Sequence, residues 1–142
     1  MLPVGHGRYR GTFPTDVIKL PADNSAADIL TLASGPGASG PITLTAPALV
    51  SVTATLQLFN IDAASVHGFG CQSELRPSGG AAVVLGTADE TVATFAERTV
   101  SWTTALAVDP GTYDVGVKCS VAFRTTSGWV TSADVVAIAF AR

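Results

Sequence analysis

Leu49-Val50-Ser51-Val52-Thr53-Ala54-Thr55-Leu56-Gln57-Leu58 decides the fold. Val50, Val52, Ala54, Leu56 and Leu58 fall on one side of this stretch, and Ser51, Thr53, Thr55 and Gln57 on the other. Successive side chains of a strand point to opposite faces, so a period of two predicts a strand with one buried face. Tyr113, Val115, Val117, Cys119, Val121 and Phe123 repeat the pattern, with Asp114, Lys118, Ser120 and Arg124 opposite. Val100, Trp102, Thr104, Leu106 and Val108 make a third series, and Val136, Ile138 and Phe140 a fourth. Shorter candidates lie at 16–20, 29–32, 42–45, 66–75, 82–85 and 91–95. Valine and threonine abound, and β-branched side chains suit a pleated surface. The best helical rival is 25–32, where Asn24 or Ser25 would cap a short turn.

Turn chemistry separates the runs: Gly35-Pro36-Gly37, Ala46-Pro47, Arg76-Pro77-Ser78-Gly79-Gly80, Asp109-Pro110-Gly111 and Ser127-Gly128. Asp-Pro-Gly between two strong strands predicts a hairpin joining 100–108 to 112–124. Short strands spaced roughly a dozen residues apart indicate an all-β chain, a β-sandwich or jelly roll of about 8–10 antiparallel strands. Residues 1–14, rich in Gly, Arg and Pro, read as an extended N-terminal arm, and 15–142 as a single sandwich domain.

The chain has 142 residues, 8 basic and 11 acidic, for a net charge of −3. Charged residues make up 13%, about half the usual share. Hydrophobic residues reach 47% and mean hydropathy is +0.41, a combination opposite to that of disordered chains. No broad positive field is available for nucleic acid. The longest apolar run, residues 135–141, is far short of the roughly 20 residues a membrane helix needs. The first ten residues lack the basic stretch and apolar run of a secretory signal. A chain that begins at Met1 is therefore expected to be made in a cytoplasm without a standard export signal.

Cys71 and Cys119 lie 48 positions apart with no CxxC spacing. Both fall on apolar registers, Cys119 between Val117 and Val121 and Cys71 with Phe69 and Leu75. They either pair inside the sandwich or stay as small buried thiols. A bridge is worth about 4 kcal/mol on the chain-entropy model and needs a final environment outside reducing cytosol.

Signatures of chemistry are missing. Gly35-Pro36-Gly37-Ala38-Ser39-Gly40 matches GxGxxG, but Pro41 and an alternating Ile-Thr-Leu-Thr follow instead of the helix that pyrophosphate binding requires. His67 has no signature serine or carboxylate to complete a triad. Asp89-Glu90 reads as a solvated loop, since neighbours on a strand point apart and cannot share acid–base work. Asp23, Asn24 and Asp28 fit no EF-hand spacing. No catalytic residue, metal ligand or cofactor is expected. Arg8, Tyr9, Arg10 and Phe13 form a candidate partner-binding arm, able to add a strand to a neighbouring protein. Trp102 reads as core from its register, whereas Trp129, after Ser127-Gly128, is a candidate for surface recognition, including a carbohydrate groove.

The outward strand positions are mostly Thr, Ser, Ala, Gly and Gln, and the chain has only two lysines, Lys19 and Lys118. Edge strands normally carry charge to block unwanted pairing, so these faces predict burial in an assembly. Pro47-Ala48-Leu49-Val50-Ser51-Val52-Thr53-Ala54, the Cys71 strand, residues 109–119 through Cys119, and Val135-Val136-Ala137-Ile138-Ala139-Phe140 together resemble a known module. The chain is similar to small all-β virion surface proteins, capsid decoration or fibre and tail parts, of tailed phages infecting high-GC Gram-positive bacteria. It also resembles the jelly-roll heads of tumour-necrosis-factor-like and complement-like trimers. Alanine at 22 positions and arginine favoured over lysine fit such a genome. The resemblance implies a non-enzymatic virion protein, most simply a capsid decoration protein. Its partners would be other copies of itself, as a trimer, and a major capsid protein, at the virion surface. The alternative is a bacterial cell-surface or carbohydrate-binding module.

Overall fold

The computed structural model describes residues 3–12 (through their backbone), 18–21, 25–33, 38–121 and 128–141. Among these residues ten strands follow one another: β1 (Pro3–Thr12), β2 (Ile18–Leu20), β3 (Ala27–Thr31), β4 (Ile42–Leu44), β5 (Ala48–Asn60), β6 (His67–Pro77), β7 (Val83–Val92), β8 (Ala96–Val108), β9 (Gly111–Val121) and β10 (Gly128–Ala141). One sheet runs β1-β10-β5-β8 with β2 also on β10; the other runs β3-β9-β6-β7 with β4 also on β9. Every pairing is antiparallel. The molecule is an all-β sandwich, and the segment read as the helical rival is strand β3.

The core lies between the sheets. Val50, Val52, Ala54, Leu56 and Leu58 are buried on the inner face of β5 as their alternation predicts, and Val115, Val117, Cys119 and Val121 on that of β9. Phe69, Leu75 and Val92, with Leu30 of β3 and Ile42 and Leu44 of β4, add to the second sheet's share. Gly128 opens β10 beneath the Phe69 ring: a Cβ there would stand 2.4 Å from two ring carbons. Only glycine lets the two sheets approach this closely at that end.

Four expectations need correction. Residues 100–108 and 112–124 do not form a hairpin, because β8 pairs with β5 while β9 pairs with β6, β3 and β4. Asp109-Pro110-Gly111 does reverse the chain, but it carries it from one sheet to the other. The Tyr113 hydroxyl donates to the Asp109 carbonyl at 2.8 Å and ties that crossing down. The separate candidates 82–85 and 91–95 are replaced by one strand, β7, which takes in Asp89 and Glu90. Residues 3–12, read as part of an arm, run as strand β1 along β10 of the chain's own sheet.

The fourth correction concerns β10. Val130 pairs with Leu58 and Ser132 with Gln57, leaving Thr131 as an extra residue in the ladder. A bulge of one residue shifts the phase of everything beyond it. The inner face of β10 is therefore Ala133, Val135, Ala137 and Ala139, all buried. The larger Val136, Ile138 and Phe140 turn outward, opposite Thr53, Ser51 and Leu49.

Candidate functional site

The outer face of the β1-β10-β5-β8 sheet has three zones. At one end Leu49, Val136, Ile138 and Phe140 stand together half-exposed or exposed, with Ala105 and Ala107 of β8 beside them. The middle is a field of hydroxyls, in which Thr53 bonds Thr103 at 2.8 Å and Thr55 bonds Ser101 at 3.0 Å. Beyond Arg98, β8 carries no charged side chain through Val108, and it is an edge strand of its sheet.

The third zone is aromatic. Phe59 on β5 sits opposite Trp129 on β10, with ring centroids 5.9 Å apart. Phe95, in the turn between β7 and β8, reaches Phe59 at 5.4 Å, edge to face. Lys19 on β2, also opposite Trp129, holds its Nζ 5.5 Å from that ring. Phe95 is 66% exposed and has a φ of 46°. A bulky residue in the left-handed region costs about 1–2 kcal/mol, so glycine or asparagine is the usual occupant.

What holds Phe95 there is a polar corner. Its backbone N–H donates to the Asp62 carbonyl at 2.9 Å. Asn60, fully buried, donates through Nδ2 to the carbonyls of Ser65, Val92 and Ala93, and its Oδ1 accepts from Asp62 N–H. The Asp62 carboxylate accepts from Ala64 N–H, from the Ser65 hydroxyl at 2.8 Å, and from Ser65 N–H. Those donors, the Ala64 N–H foremost, hold its pKa down to about 2. The His67 Nε2 lies 3.5 Å from Asp62 Oδ2.

Ser65, Asp62 and His67 thus meet, but not as a nucleophilic triad. The serine proton goes to the carboxylate, not the imidazole, and His67 is fully buried. A base must hydrogen-bond the nucleophile it activates and face a substrate. The corner organises a turn.

On the opposite sheet, Glu74 is buried on the outer face under Arg76, Gln72 and Lys118. The Arg76 guanidinium lies flat over Gly116, where a Cβ would meet its Cζ at 2.4 Å. It also binds Asp28 at 2.7 Å. Burial disfavours the charged guanidinium, but Asp28 and Glu74 outweigh that and raise its pKa. Each charge has its opposite, so the cluster is a covered ion network. Glu90 points away from Asp89 and pairs with Arg98 at 2.9 Å.

Cys71 and Cys119 face each other on β6 and β9 and are joined as a disulfide, with Cα atoms 4.1 Å apart. Arg8, Tyr9 and Arg10 occupy register positions opposite Val136, Val135 and Asp134; Phe13, Asp23 and Asn24 lie outside the described residues. Trp129 is half-buried on the outer face. Trp102 packs against the core as its register predicts. Sequence reasoning missed Phe59, Phe95 and Lys19, whose association with Trp129 spans four parts of the chain. Among the described residues, no group of three or more His, Cys, Asp or Glu could hold a metal ion. Among the same residues, no helix is long and apolar enough to cross a membrane.

No family model and no curated protein sequence matches the chain. Solved structures do. The chain superposes on the structure of infectious bursal disease virus Gx strain with TM-score 0.60 at 10% identity, covering 94% of this chain and 32% of that one. The virus's VP2 subviral particle gives TM-score 0.59 at 7% identity, covering 94% and 33%. Eiger TNF from S. frugiperda gives 0.52 at 8% identity, covering 96% and 91%. The chain spans about a third of the length of the viral chains it matches. At these identities the likeness is one of fold.

Proposed function

We propose that this chain is a non-enzymatic structural protein of a virion surface, a capsid decoration protein of a tailed phage. It associates with copies of itself as a trimer and docks on a major capsid lattice. The observation that carries this reading is the outer face of the β1-β10-β5-β8 sheet. Its threonine-rich middle has few charges, its end carries Leu49, Val136, Ile138 and Phe140 outward, and β8 offers an uncharged edge. Apolar side chains turned outward by a bulge gain nothing in a lone domain, and a long uncharged edge invites pairing. Contact with other protein surfaces removes both costs. The likeness to capsid chains supports a fold suited to tiling, and β1, the sheet's opposite edge, carries Arg8, Tyr9 and Arg10 beside β10.

A lattice presents its partner many times, so weak single contacts suffice through multivalency. The test is light scattering of the intact protein, with electron microscopy of particles assembled with and without it. A trimer mass and added density on particles are expected. A monomer at micromolar concentration that leaves particles bare overturns the reading.

A further inference from the structure

We infer that the row Phe95–Phe59–Trp129, flanked by Lys19, is a binding site for a neutral oligosaccharide. This goes beyond the proposed assembly role and lies at the opposite end of β5 and β10 from Leu49 and Phe140. Phe59 stands between the other two rings, its centroid 5.4 Å from that of Phe95 and 5.9 Å from that of Trp129, with the ring planes inclined at 68° and 54°. Phe95 is held outward in a conformation its side chain disfavours, by a bond from its own N–H to the buried-anchored turn at Asp62. A glycine would serve the turn with less strain; what the phenylalanine adds is an exposed ring in contact with Phe59.

The occupant follows from charge and size. Lys19 already holds the cationic position over Trp129, which disfavours a second cation at that ring. Glu97 beside Gln57 and a net charge of −3 disfavour polyanions, nucleic acid included. Three partly covered rings fall well short of the roughly 800 Å² per partner that a stable protein pair buries. What remains is a ligand with an apolar face and a hydroxylated rim. Gln57 Nε2 donates to Glu97 at 2.7 Å and Thr131 to Gln57 Oε1 at 3.2 Å, forming a polar border to the rings. Pyranose C–H groups pack on the exposed Phe95 ring and on what Phe59 and Trp129 leave uncovered, with their hydroxyls toward that border.

The test is titration of the intact protein with cellohexaose and with maltohexaose, followed by tryptophan fluorescence, with a heparin hexasaccharide as the charged comparison. At least one neutral hexasaccharide is expected to saturate the signal and to bind more tightly than the heparin fragment. Phe95→Gly is expected to weaken that binding at least tenfold while its melting temperature stays level or rises. Absence of saturation by both neutral sugars at millimolar concentration overturns the assignment. So does unchanged affinity in Phe95→Gly, or tighter binding of heparin. Trimer formation, read separately by light scattering, is expected to be the same in Phe95→Gly and the unaltered chain.

Discussion

The Trp102 indole N–H donates to the Ser73 hydroxyl at 3.0 Å, and that bond crosses from β8 in one sheet to β6 in the other. Ser73 is fully buried, so loss of the donor leaves a hydroxyl away from water. Trp102→Phe keeps an aromatic ring and removes the N–H. We expect a loss of about 1–3 kcal/mol in unfolding free energy, the cost of an unsatisfied buried group. Urea denaturation read at equilibrium measures it, and an unchanged midpoint would show that the bond contributes nothing.

The bridge between Cys71 and Cys119 joins neighbours already paired on β6 and β9. Its effect falls on the unfolded chain, where it closes a loop of 48 residues. Replacing both cysteines with alanine is expected to keep the fold and to lower stability by up to about 4 kcal/mol. Adding reductant to the unaltered protein should reproduce most of that loss in the same denaturant series.

Asp62 gives the protein an acid-sensitive component. Its folded-state pKa of about 2 lies below the ordinary carboxylate value because Ala64 N–H and the Ser65 hydroxyl bond the ionised form. A carboxyl depressed on folding stabilises fully above its unfolded pKa, and that contribution disappears as pH falls through the folded value. The stabilisation is thus complete above about pH 4 and lost between about pH 4 and pH 2. Asp62→Asn should be less stable than the parent at pH 6, with the gap closing toward pH 2. Thermal melts across that range check it; a constant gap contradicts it.

Gly128 is expected to tolerate no side chain. A Cβ at 2.4 Å from the Phe69 ring forces the ring or β10 to move. Gly128→Ala should cost about 1–3 kcal/mol, as overpacking of a filled core does, and should disturb the neighbouring Trp129. Near-ultraviolet circular dichroism and a melting curve report both effects.

The all-β sandwich was legible because β5 and β9 bury large residues at every second position without interruption. Alternation alone puts Val136, Ile138 and Phe140 on the wrong face, because one bulged residue, Thr131, reverses the phase and small alanines inside give a weaker signal than large residues outside. Strand β1 was hidden by Gly5, Gly7 and Gly11, which occupy alternate positions and remove the apolar half of the pattern. Asp109-Pro110-Gly111 marks where the chain turns but carries no information on which strand β8 pairs with. The aromatic row draws on β5, β10, β2 and a turn, so no spacing along the chain could bring it together.

Ile138 tests whether the outward apolar zone is an interface. It stands opposite Ser51, between outward Val136 and Phe140, with the buried Ala137 and Ala139 on the other side of the strand. Ile138→Thr keeps β-branching and extends the hydroxyl field; Ile138→Lys adds a charge to the apolar end of the face. Neither change touches the core, so stability should shift by no more than about 1 kcal/mol, the range of strand preferences. Association is expected to respond in order: the threonine variant weakens it, and the lysine variant abolishes it, because a desolvated unpaired ammonium at a protein contact is costly. Sedimentation of all three proteins at matched concentration separates the effects. If the lysine variant assembles as the parent does, this end of the sheet faces solvent in the assembly, and the contact must run through the β8 or β1 edge.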